Sequence, residues 1–71
     1  MSYSYKVGNN GPTLEVDDAV KISHDSFSKG GVFSDDEWKV HYTAPGQSGV
    51  ATINKRTSSV TTGAYSIKVN W

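Results

Sequence analysis

The run Tyr65-Ser66-Ile67-Lys68-Val69-Asn70-Trp71 places an apolar side chain at every second position and a polar one between each pair. Period two is the geometry of a β-strand with one face buried and the other wet, and no helix can sort these residues that way. The same rhythm recurs upstream. Tyr3, Tyr5 and Val7 alternate with Ser4 and Lys6 until Gly8-Asn9-Asn10-Gly11-Pro12 imposes a turn. Leu14 and Val16 alternate with Glu15 and Asp17, and Val20 and Ile22 flank Lys21. Trp38, Val40 and Tyr42 alternate with Lys39, His41 and Thr43 up to the Pro45-Gly46 turn, and beyond a loop over 46–49 Ala51 and Ile53 form a weaker run. No window repeats apolar residues at helical spacing. The expectation is an all-β fold: one small domain over residues 1–71, an antiparallel β-sandwich or barrel of about six short strands.

One segment offers a competing signal. Ser34-Asp35-Asp36-Glu37 has the form of a capping box, which starts helices. A helix there would run into the Trp38 strand, so a single turn leading into that strand is expected instead. Tyr3, Tyr5, Trp38, Tyr42, Tyr65 and Trp71 all fall on the inward phase and are expected in the core.

A chain of 71 residues buries only about 60% of its unfolded surface, so its core is thin. With no cysteine there is neither a disulfide nor a zinc-thiolate site to reinforce it, and self-association is a natural remedy. The opening MSYSYKV lacks a cationic stretch followed by an apolar run, and no segment is long enough to span a bilayer as a helix. A soluble, cytoplasmic or virion-associated protein is expected.

Charge is balanced overall at seven acids against seven Lys and Arg, yet every acid lies between Glu15 and Glu37. Strands from the two halves interleave in an antiparallel fold, so ion pairs between the halves are expected; an acidic edge for a basic partner is the alternative. The neutral balance disfavours tight binding to a polyanion. Asp17-Asp18 and Asp35-Asp36-Glu37 are hard oxygen ligands, but neither follows an EF-hand pattern, so solvated turn acids are expected and no metal or cofactor is assigned. His24-Asp25-Ser26 holds the residue types of a hydrolase triad. Adjacent loop residues rarely converge as a triad must, so no enzyme is expected.

Two short segments bear likenesses to known families. Lys29-Gly30 and Phe33 resemble in character the RNA-binding segment of cold-shock domains, which implies stacking of bases on exposed aromatics. The second aromatic strand of that family has no counterpart, and acids crowd the segment. Tyr42-Thr43-Ala44-Pro45-Gly46-Gln47 is similar to part of the β-sandwich α-amylase inhibitors of the tendamistat type. The inhibitory aromatic-Arg-aromatic triplet and the disulfides of that family are missing, so no functional residue is carried over.

The remaining profile suits recognition: a Ser/Thr-rich β scaffold with an aromatic excess and Gly-containing loops. Phe27 and Phe33 lie outside any alternation, in a loop with Lys29, Gly30 and Gly31. These five residues are the candidate binding site of a non-catalytic interaction protein whose partner is a protein or a carbohydrate. Single-stranded nucleic-acid binding and a structural subunit that oligomerises through edge strands are the alternatives.

Overall fold

The computed structural model describes residues 1–25 and 27–71. The chain forms seven strands, β1 (Ser2–Lys6), β2 (Thr13–Asp17), β3 (Lys21–His24), β4 (Trp38–Ala44), β5 (Gln47–Ile53), β6 (Ser59–Thr62) and β7 (Tyr65–Asn70), with no helix among the described residues. They make two antiparallel sheets, a four-stranded one in the order β1-β2-β7-β6 and a three-stranded one in the order β3-β4-β5. The sheets share one core between them without closing into a barrel.

Pairing register follows the alternation. Tyr3 and Tyr5 stand opposite Val16 and Leu14, Leu14 opposite Val69, and Val60 opposite Ile67. In the three-stranded sheet, Ile22 pairs with Tyr42 and Trp38 with Ile53. A slip of one residue in any of these strands would turn its apolar set to solvent, so burial fixes the register. The resulting core contains Val7, Leu14, Val16, Val20, Trp38, Val40, Ala44, Ile53, Ile67 and Val69, with Tyr3, Tyr5, Ile22, Tyr42, Val60 and Tyr65 packed around it.

The two seams between the sheets differ. On one side tyrosines of β1 reach across: the Tyr3 hydroxyl donates to the Val20 carbonyl, and the Tyr5 hydroxyl lies 2.6 Å from His24 Nδ1. On the other side β5 and β6 lie side by side with the Gln47 side chain against Gly63.

Several local features depart from the sequence expectation. The strand β6 is a seventh, hidden from the alternation because Ser59-Val60-Thr61-Thr62 offers one aliphatic residue; Thr62 is nevertheless fully buried, its hydroxyl satisfied by the Tyr65 carbonyl at 3.4 Å. The strand β5 begins at Gln47, not after a loop over 46–49, and Gly49 sits within it beneath the Tyr42 ring, where a side chain would collide with Tyr42. Trp71 has the inward phase but lies beyond the end of β7 and stays half exposed, held by its indole N–H on the Thr57 carbonyl at 3.1 Å. Ser34 to Glu37, by contrast, forms no helix, as expected: Ser34 Oγ accepts from the Gly31 N–H at 2.9 Å, and Glu37 pairs with Ser28 through two backbone bonds.

Candidate functional site

The segment between β3 and β4 is a long hairpin loop with a defined shape. The Ser28–Glu37 bridge draws its base together, and the Gly30 N–H donates to Asp36 Oδ1 at 2.9 Å. Gly30 is required there because a side chain would overlap the Ser34 and Asp35 carbonyls. Two contacts tie the loop to the second half of the chain: Asp35 to Arg56 at 3.1 Å and Asp25 to His41 at 2.8 Å. Both join an acid of the first half to a base of the second.

This geometry separates the five residues singled out in the sequence. Phe33 is fully exposed at the loop tip beside an equally exposed Val32, and Lys29 is also exposed. Gly30 and Gly31 serve the loop's internal bonding. Phe27 turns the other way and stacks on Trp38, ring centroids 5.0 Å apart, and Trp38 in turn meets Trp71 at 5.4 Å. The three rings form one row, with the buried Trp38 at its centre.

Beside this row lies a cleft of about 310 Å³ lined by Gly8, Asn9, Asn10, His24, Asp25, Phe27 and Trp38. Its walls come from separate parts of the chain. The β1–β2 turn supplies Gly8 to Asn10, held in place by the Val7 N–H on the Pro12 carbonyl at 2.9 Å and by Lys6 Nζ on the Gly11 carbonyl at 2.7 Å. The end of β3 supplies His24 and Asp25, and the start of β4 supplies Trp38.

The cleft sets polar groups, among them the Asp25 carboxylate, beside the Phe27 and Trp38 rings. Trp38 is 3% exposed, and no group among the described residues accepts a hydrogen bond from its Nε1. The nitrogen edge of the ring lies against Gly8 and Gly11, in the β1–β2 turn that forms one wall of the cleft. His24 presents its second ring nitrogen to the same space: Trp38 Nε1 and His24 Nε2 lie 3.7 and 3.9 Å from the point a Cβ on Gly8 would occupy. Tyr5 holds the other nitrogen of His24 and so sets whether Nε2 donates or accepts. One Asp25 oxygen is committed to His41, while the Asn9 and Asn10 amides at the rim are donors and acceptors at once. The Phe27 ring adds an apolar wall.

His24 and Asp25 are thus directed to different partners, Tyr5 and His41, rather than to each other. Ser26 lies outside the described residues. Among those described, no group of three or more His, Asp or Glu side chains is placed to hold a metal ion. Asp17 caps the Ala19 N–H at 2.8 Å, and no helix among the described residues is long and apolar enough to cross a membrane.

Comparison with protein families, with curated proteins and with solved structures finds no match to this chain. The role of each residue in the cleft therefore follows from its geometry alone. Sequence reasoning anticipates Phe27 but not its companions, because Trp38 reads as an ordinary strand residue, His24 as part of a loop whose neighbours do not converge, and the Gly8–Asn10 segment as a turn.

Proposed function

We propose that this protein is a non-catalytic binding module that takes one unit of a neutral glycan into the cleft beside Trp38. The observation that carries this is the indole N–H of a buried tryptophan, unpaired among the described residues, facing a cleft that also holds His24 Nε2, Asp25 and two asparagines. A donor at the cleft wall with no protein acceptor is free to bond a ligand hydroxyl, which takes the place of the water it otherwise meets. Sugars carry hydroxyls that donate and accept, together with C–H faces that suit an aromatic wall such as Phe27. An anionic ligand would meet the Asp25 carboxylate, and a cationic one would meet the positive end of the indole N–H dipole. The volume, at the small end of ligand sites, suits a single sugar unit.

The two indole N–H groups make the test direct, since that of Trp71 is bonded to Thr57 and serves as an internal reference. In an NMR titration with glucose, galactose, mannose and N-acetylglucosamine, at least one sugar should shift the Trp38 indole resonance and leave that of Trp71 nearly still. Trp38→Phe, which keeps a ring but removes the donor, should weaken that binding at least tenfold, about 1.4 kcal/mol. No shift at Trp38 with any of the four sugars at high millimolar concentration would refute the assignment.

A protein partner is the second reading, favoured by the Val32-Phe33 tip. Both side chains stand free of the fold on a loop ordered by its own hydrogen bonds, and a pre-ordered aromatic anchor is a common centre of protein interfaces.

A further inference from the structure

Sheet edges invite pairing with other chains, and proteins ordinarily protect them with charge, proline, bulges or brevity. The β1 edge carries Lys6 and is bridged to the other sheet by Tyr3 and Tyr5; β3 carries Lys21 and His24; β6 is four residues long. The β5 edge has none of these protections in its own sequence, and β6 of the other sheet lies beside it where the Gln47 side chain meets Gly63. It runs seven residues, Gln47-Ser48-Gly49-Val50-Ala51-Thr52-Ile53, with no charged residue and no proline, and pairs residue for residue with β4 without a bulge.

The order of its residues is also close to its own reverse. Around Val50, Gly49 mirrors Ala51 and Ser48 mirrors Thr52, so small residues answer small ones and hydroxyls answer hydroxyls. The two-residue turn Pro45-Gly46 closes on the Ala44–Gln47 pair, and ladder alternation then points the N–H and C=O of Ser48, Val50 and Thr52 away from β4. The same three side chains lie on the exposed face, and Val50 is 53% exposed.

From this geometry we infer that β5 pairs antiparallel with β5 of a second copy, about a two-fold axis through Val50, joining two three-stranded sheets into one of six strands. Such an isologous contact sets Val50 against its symmetry mate and Ser48 against the mate's Thr52. Every outward backbone group of these residues then gains a partner, on the order of six hydrogen bonds in all. On the exposed face, His41 is opposite Val50 and Lys39 opposite Thr52 within each copy, so the basic side chains stay one strand removed from the two-fold. Ser-Thr pairs across strands are favourable, and no like charges face each other. The pairing is independent of the cleft, which Phe27 and Trp38 place at the β1–β2 turn end of the sandwich.

The chain has no cysteine, so single substitutions read out the register. Directly opposed residues have Cα atoms about 5.5 Å apart, within disulfide reach, whereas Ser48 and its own mate would be separated by about 13 Å along the strands. Under oxidation Val50→Cys should form covalent dimers efficiently. Ser48→Cys and Thr52→Cys should not do so alone, but an equimolar mixture of the two should. Sedimentation equilibrium should find a dimer of the unmodified protein that Val50→Lys, a change on an exposed side chain, converts to a folded monomer. A monomer of the unmodified chain at millimolar concentration would overturn the inference. So would equal cross-linking of the Val50→Cys and Ser48→Cys proteins, since that would place the contact in another register.

Discussion

Gly8 and Gly46 provide a matched pair of perturbations that isolates the cleft from the fold. Both adopt the left-handed region, with φ of 65° and 77°, and there an alanine costs about 1 kcal/mol relative to glycine. For a domain of this size that corresponds to a fall in Tm of roughly 4–8 °C. Their surroundings differ. A Cβ at Gly46 meets nothing within 4 Å, whereas a Cβ at Gly8 sits 3.7 Å from Trp38 Nε1 and 3.9 Å from His24 Nε2. Those are ordinary contact distances, so packing adds no penalty at Gly8, but the methyl group occupies the space a ligand hydroxyl needs to reach both nitrogens. Gly8→Ala and Gly46→Ala should therefore lose about the same stability in thermal melts followed by circular dichroism. Only Gly8→Ala should weaken sugar binding in the NMR titration, by about 1.4 kcal/mol or more, a factor of ten. Binding by Gly8→Ala at the unmodified affinity, or an equal loss in Gly46→Ala, would show that the cleft is not where the ligand sits.

Three further outcomes follow from side chains already described. Phe27→Ser should cost about 1–2 kcal/mol by removing the ring stacked on Trp38, and it should also impair sugar binding. Phe33→Ser should stay within about 0.5 kcal/mol in urea titrations, and a large loss there would mean that the loop tip packs against the fold. Tyr3 gives the pH dependence: burial first, then the Asp18 carboxylate and Tyr5, raise its phenol above the ordinary value of 10.0. The unfolded chain then releases this proton before the folded one does, so the stabilisation is whole below pH 10 and lost as the pH rises through the folded value. Tyr3→Phe should cost about 1 kcal/mol at neutral pH through the lost bond to Val20 and should flatten the alkaline fall in urea midpoint; parallel decline of the two proteins would contradict this.

The strands whose alternation is complete are legible in the sequence because burial alone dictates their phase, and β7, with Ile67 and Val69 in the core, is the clearest example. The strand β6 is not legible, since a threonine can replace an aliphatic residue on the inner face once its hydroxyl finds a local carbonyl, as Thr62 does. Gly49 misleads in the opposite direction: glycine reads as loop, yet within β5 it makes room for the Tyr42 ring. The cleft is largely hidden because it is assembled from a turn, a strand end and a strand start that no local pattern links. Trp38 satisfies the core alternation, and only the three-dimensional arrangement reveals that the nitrogen edge of its ring faces outward to the cleft. The paired amides of Asn9 and Asn10, with a glycine on either side, are the one signal the sequence offers.

The strand order β1-β2-β7-β6 has a consequence for how the molecule assembles. The three-stranded sheet is built wholly from chain neighbours, and its β4–β5 hairpin closes through a two-residue turn. The four-stranded sheet depends on Leu14 finding Val69 and Glu15 finding Lys68, across almost the whole chain. Loop-closure entropy sets these contacts last. Until β7 docks, the hairpin of β1 and β2 has no inner neighbour and Trp71 remains apart from Trp38, so the aromatic row beside the cleft is among the final parts of the fold to be completed.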